Sequence, residues 1–69
     1  MPSIDTKLRD TVRKQVNRFL DSGIFNEEQI IAHIVKEYPV SDVLIKKQIY
    51  LLINGNIVYK DEEGVLKWR

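Results

Sequence analysis

Residues 38–61 read YPVSDVLIKKQIYLLINGNIVYKD. Pro39 closes one helix, because the residue before a proline disfavours the α region. Ser41 then offers a side-chain cap, and Asp42 suits the positive start of a new helix. Leu44, Ile45, Ile49, Leu52 and Ile53 recur at spacings of three and four, so they share one helical face that points inward. Asn54-Gly55 supplies the stop. Ile57-Val58-Tyr59 is β-prone. Two helices joined by only Pro39-Val40-Ser41 predict a helix-turn-helix.

The flanks agree with this centre. Upstream, IDTKLRDTVRKQVNRFLDSG places Ile4, Leu8, Val12, Val16 and Leu20 at every fourth position, with Phe19 beside the last. That predicts a first helix with Ser3 as N-cap, Asp5 in its first turn and Gly23 just past its end. Its other side carries Arg9, Arg13, Lys14 and Arg18, diluted by Asp10 and Asp21. The second helix, NEEQIIAHIVKEY, opens with Asn26 followed by Gln29, a capping-box spacing, with Glu27 and Glu28 in the first turn. Ile30, Ile31, Ile34, Val35 and Tyr38 form its predicted buried stripe.

Downstream, Ile57–Lys60 and Val65–Trp68 flank Asp61-Glu62-Glu63-Gly64. Two short β-prone runs around a glycine-containing turn predict a hairpin. Ile24-Phe25 is a candidate third short strand. The order α-(β)-α-α-β-β is that of a winged helix, an α+β fold in which a three-helix bundle carries a C-terminal hairpin wing. The expected organisation is one winged-helix domain over residues 1–69.

Composition narrows the function. A chain of 69 residues without cysteine has no disulfide framework, thiolate metal site or cysteine nucleophile. It fits a reducing, intracellular location, cytoplasmic or nuclear. Eleven basic and ten acidic residues leave a net charge of +1, which is not the balance of a protein that holds nucleic acid by bulk charge. No apolar run approaches membrane-spanning length. The single histidine, His33, sits among Ile30, Ile34 and Glu37 with no second ligand at metal spacing, and reads as a partly buried structural residue. Ser3, Ser22 and Ser41 fall at caps and turns, with no base at motif spacing. No glycine loop for phosphate is present. The expectation is a non-enzyme with no cofactor, no metal, no small-molecule substrate and no membrane partner.

Candidate binding residues follow from the outward face of the third helix. Asp42, Lys46, Tyr50 and Asn54 are each four apart, and Lys47 lies alongside. In a nucleic-acid-binding winged helix such side chains reach phosphates or base edges. The alternative is a solvated face with Tyr50 half-covered by the hairpin. The tip Asp61-Glu62-Glu63 argues against DNA, because three carboxylates would repel a polyanion. Lys60, Lys67 and Arg69 flank that tip. Arg13 and Lys14 of the first helix complete the candidate set.

Two family resemblances attach to these residues. Ile45-Lys46-Lys47-Gln48-Ile49-Tyr50-Leu51-Leu52-Ile53 resembles the I-K-K-x-I-x-x-L-I run in the C-terminal winged helix of cullins, the scaffolds of ubiquitin ligases. The resemblance spans about residues 38–61. It continues through Ile57-Val58-Tyr59-Lys60-Asp61, where cullins have Y-I-E-R-D, and includes Tyr38-Pro39-Val40. It implies a protein-interaction domain whose partner is a ubiquitin-ligase component. In cullins a lysine within V-R-x-x-K on the first helix accepts a ubiquitin-like modifier. Here Val12-Arg13-Lys14-Gln15-Val16 puts Val16 in that slot, or Leu20 when matched from the second helix, with Lys14 nearby. The cullin-like subunit of the anaphase-promoting complex is the better analogue. At the other end, Leu66-Lys67-Trp68 replaces the Y-x-Y strand of cullins.

The second resemblance is to Zα domains, winged helices that bind left-handed nucleic acid. Ile45 through Trp68 is similar to them in spacing, so Tyr50 and Trp68 fall on their two aromatic positions. It implies that Trp68 supports Tyr50 against a base. Lys46 replaces the asparagine of that family, and Val65-Leu66 replaces its Pro-Pro pair. Trp68 also reads as an anchor on the last strand.

Overall fold

The computed structural model describes the backbone of residues 4–69 and the side chains of residues 7–69. Ser3, and the side chains of Ile4 and Asp5, lie outside the described residues. Three helices are followed by a two-stranded antiparallel hairpin: α1 (Ile4–Ser22), α2 (Glu27–Glu37), α3 (Asp42–Asn54), β1 (Val58–Lys60) and β2 (Leu66–Trp68). This is an α+β layout.

Local chemistry sets each boundary. Gly23 takes φ +67°, and its N–H donates to Leu20 O, ending α1. The α2 capping box forms in both directions: Asn26 Oδ1 accepts from Gln29 N–H at 2.8 Å, and Gln29 Oε1 accepts from Asn26 N–H at 3.0 Å. Tyr38 is extended ahead of Pro39 and stops α2. Ser41 Oγ accepts from Leu44 N–H at 3.4 Å and caps α3.

The end of α3 departs from expectation in one respect. Gly55 caps it at φ −83°, and the left-handed position falls to Asn56 at φ +60°. The space at 55 is tight for a side chain. A Cβ there would stand 3.2 Å from Leu51 O and 3.7 Å from Ile57 Cδ1.

Nine apolar residues form the buried core: Val12, Val16 and Leu20 of α1, Ile30 and Ile34 of α2, Ile45 and Ile49 of α3, Val58 of β1 and Leu66 of β2. Every element contributes, so no element can leave without opening the core. α3 packs on both other helices, β1 lies against α3, and β2 lies against α1. Val35 is a correction to the expected α2 stripe: it is 43% exposed, because the core-facing arc is taken by Ile30 and Ile34.

In the hairpin Val58 pairs with Trp68, Tyr59 with Lys67 and Lys60 with Leu66. Alternation along a strand therefore sends Val58, Lys60, Leu66 and Trp68 to the core side and Tyr59 and Lys67 to the outer side. Ile24-Phe25 forms no strand of its own. A single bridge joins Asn26 to Val65, and Leu66 N–H donates to Phe25 O at 3.0 Å. The stretch before α2 is taken up by the capping box, which leaves too few extended residues to run a ladder.

Candidate docking face on the third helix

At 100° per residue, burial of Ile45, Ile49 and Leu52 turns Val43, Lys47, Tyr50, Leu51 and Asn54 away from the core. Val43 is 68% exposed, Tyr50 64% and Leu51 53%. Lys46 lies on the flank of this arc rather than at its centre. Its Nζ sits 3.7 Å from Asp42 Oδ2, an i,i+4 ion pair. Lys47 is exposed and has no ion pair among the described residues. Tyr50 is not covered by the hairpin.

The face continues onto the outer side of the hairpin. Ile57, 50% exposed, reaches back over Gly55 beside Leu51. Arg69 N–H donates to Ile57 O at 3.0 Å, and the Arg69 guanidinium lies over the Tyr59 ring, 5.6 Å from its centroid. Val43, Leu51, Ile57 and Tyr59 join this face, although their sequence spacing does not mark them as surface residues. Val43 and Leu51 sit in an apolar-rich helix where a second apolar arc is hard to tell from the first. Counting from Ile49 as the centre of the buried arc would have exposed them.

Other expected contributors are placed elsewhere. Lys60 is exposed at the hairpin edge and pairs with Glu27 at the start of α2, Nζ to Oε2 3.2 Å. Trp68 Nε1 donates to Asp21 Oδ1 at 2.8 Å, tying β2 to the end of α1. Arg13 and Lys14 are exposed on α1. The structure thus brings Lys46, Lys47, Tyr50 and Asn54 onto one element and leaves Lys60, Trp68, Arg13 and Lys14 on others.

The hairpin tip is organised by Asp61. Its Oδ1 accepts from Glu63 N–H and from Val65 N–H, both at 2.9 Å, while Lys67 Nζ stands 3.3 Å from Oδ2. The Val65 N–H, then Lys67 and the Glu63 N–H, hold the Asp61 carboxyl below its ordinary range, against a smaller opposing effect of desolvation. Asp61 therefore stays ionised but engaged by two N–H groups and Lys67, which leaves Glu62 and Glu63 as the unengaged carboxylates of the tip.

His33 is corrected from partly buried to exposed. It stacks on Phe19 at 5.4 Å and meets Phe25 edge-on at 5.6 Å, and these two rings meet each other at 5.0 Å. The trio floors an open groove of about 320 Å³ between α1 and α2, with Arg18 and Glu37 on its walls. Phe19 and Phe25 also pack against the core.

Among the described residues, no cluster of His, Cys, Asp or Glu could hold a metal ion, and no helix is long and apolar enough to cross a membrane. No family model, curated protein or solved structure matches this chain.

Proposed function

We propose that the chain is a winged-helix recognition module without chemistry of its own, and that α3 docks a protein partner. The resemblance to the cullin C-terminal winged helix points to a ubiquitin-ligase component as that partner, inside the cell. One observation carries the reading. Val43, Tyr50 and Leu51 are each more than half exposed on α3, the helix with which a DNA reader would enter a groove. Such a helix meets phosphates and base edges with cationic and polar groups. Here three large apolar side chains occupy that arc, and one of its two lysines is held by Asp42. Clustered exposed apolar area with an aromatic centre is what protein interfaces use.

Nucleic-acid binding is the second reading. It is favoured by Lys47, Tyr50 and Asn54 standing in line on the exposed arc. It loses Lys60 and Trp68 as ready contacts, since these are engaged by Glu27 and Asp21. An amide NMR titration of the full chain with an alternating CG duplex and with a random duplex, at low and moderate salt, separates the two. Under the protein-docking reading neither duplex shifts the α3 amides. Shifts centred on α3 and the hairpin that vanish at moderate salt, as counterion competition requires, would overturn it in favour of nucleic acid. A preference for the CG duplex would single out Zα-like binding.

A further inference from the structure

We infer that the partner segment seated on α3 is an amphipathic helix whose apolar stripe is flanked by carboxylates. The inference rests on the protein-docking reading above and adds the chemistry of the occupant.

The apolar part follows from geometry. Val43 and Leu51 are eight residues apart, about 12 Å along the helix axis. Lys47 lies midway between them, Tyr50 stands on the flank one residue before Leu51, and Ile57 extends the line past the end of α3, over Gly55. The line is longer than it is wide. A helix laid along it presents side chains at i, i+3, i+4 and i+7, which matches a strip of that length in about two turns.

The charge follows from what borders the strip. Lys47 stands within it, and Lys46 lies on one flank. Arg69 lies beyond Ile57, its guanidinium held over Tyr59. The one carboxylate on α3 is Asp42, already paired with Lys46. Lys47 and Arg69 have no carboxylate partner among the described residues. A segment that covered the strip with neutral or basic flanks would desolvate these cations without compensation. Acidic flanks give each a partner. The negative end of α3 near Asn54 works against an incoming anion, and Arg69 is the group that offsets it there. Glu62 and Glu63 do not interfere at close range, because they sit at the hairpin tip. The base, where Ile57 and Arg69 meet, is about 13 Å away at 3.3 Å per strand residue.

A selection tests this. Helix-forming peptides from a display library are selected on the full chain, with the Leu51→Glu chain as counter-selection. Leu51 is exposed, so that variant keeps its fold, which a thermal melt verifies. Enrichment of peptides with an i, i+4, i+7 apolar stripe and an excess of Asp and Glu supports the inference. Such a peptide, made synthetically, should lose at least tenfold in affinity for Lys47→Glu chain and recover when its own acidic flank is changed to lysine. Enriched peptides that need Leu51 but are neutral or basic overturn the acidic partner and leave protein docking standing. If no enriched peptide depends on Leu51, the inference fails, and the duplex titration alone decides the broader reading.

Discussion

Trp68 and Asp21 stand 47 residues apart and share a 2.8 Å hydrogen bond, indole N–H to carboxylate. The bond joins the last strand to the end of the first helix. Trp68 lies on the core side of the hairpin but at its edge, 36% exposed. Its role there is to hold β2 against α1. Trp68→Phe keeps most of the ring and deletes the donor. We expect a loss of about 1 kcal/mol, the usual net value for such a bond, reduced from the charged-acceptor figure by solvent access. Asp21→Asn should cost less. In a double-mutant cycle by urea unfolding, the two changes should couple by about 0.5 kcal/mol or more. Strict additivity would show that the bond contributes nothing, and Trp68 would then be available to a ligand.

The Asp61 turn predicts an acid response. The folded carboxyl titrates below its ordinary value of 3.8, held mainly by the Val65 N–H. In that range the folded state binds fewer protons than the unfolded chain, so stability falls as pH falls. The contribution is complete above the ordinary carboxylate pKa and fades as pH drops through 3.8 and below. Asp61→Ala removes both acceptor contacts at any pH. The protection factors of the Glu63 and Val65 amides, taken against the intrinsic rate at each pH, should fall in that variant at pH 6, and in the parent chain only under acid. Equal protection at pH 6 in parent and variant would rule out the carboxylate as the organiser of the turn.

The α3 terminus makes a paired prediction about Gly55 and Asn56. Asn56 occupies the left-handed region, where a residue with a Cβ is strained. Asn56→Gly should stabilise the fold slightly, by a few tenths of a kcal/mol. Asn56→Ala should cost about 0.5–1 kcal/mol, since alanine lacks asparagine's tolerance of that region. Gly55→Ala meets Leu51 O at 3.2 Å, so it too should destabilise, although its φ is ordinary. Thermal melts of the three variants order them. A neutral Gly55→Ala would mean that the helix end shifts freely and that Ile57 is not fixed beside Leu51.

The fold was legible where one periodicity dominated. Val12, Val16 and Leu20 repeat every four residues, and all three are buried. The capping box, the stop before Pro39 and the hairpin each depend on a few adjacent residues, and local chemistry decided them. The surface of α3 was only half legible. Its apolar residues fall on both sides of the helix, and sequence spacing alone does not say that Val43 and Leu51 lose the contest for the core to Ile45 and Ile49. The contacts of Lys60 and Trp68 were hidden for a different reason. Their partners, Glu27 and Asp21, are distant in sequence, and only the folded chain brings them within reach. Asp61 shows the same limit at short range: a run of three acids reads as a charged tip until its turn hydrogen bonds are known.

Ile49 and Tyr50 are neighbours on α3 with opposite environments, and their substitutions should separate stability from recognition. Ile49 is 1% exposed within the core, and Tyr50 is 64% exposed. Ile49→Ala should cost about 2–5 kcal/mol through lost burial and a residual cavity. A chain of this length has a total stability of roughly 3–10 kcal/mol at about 0.05–0.15 kcal/mol per residue. That substitution therefore removes a large share of the total stability. Tyr50→Ala touches no buried contact and should change stability by no more than about 0.5 kcal/mol. Under the docking reading it should nevertheless weaken partner binding by about 2 kcal/mol, roughly 30-fold, as central aromatic residues of interfaces do. The Lys46→Ala, Lys47→Ala double variant should lose less, and most of its loss should be in the association rate and should shrink with added salt. Urea unfolding and surface-plasmon binding to a peptide selected on α3 measure both quantities on the same proteins. A Tyr50→Ala chain that binds that peptide as tightly as the parent would remove α3 as the docking face. A Tyr50→Ala chain that unfolds like Ile49→Ala would instead make Tyr50 part of the core, against its exposure.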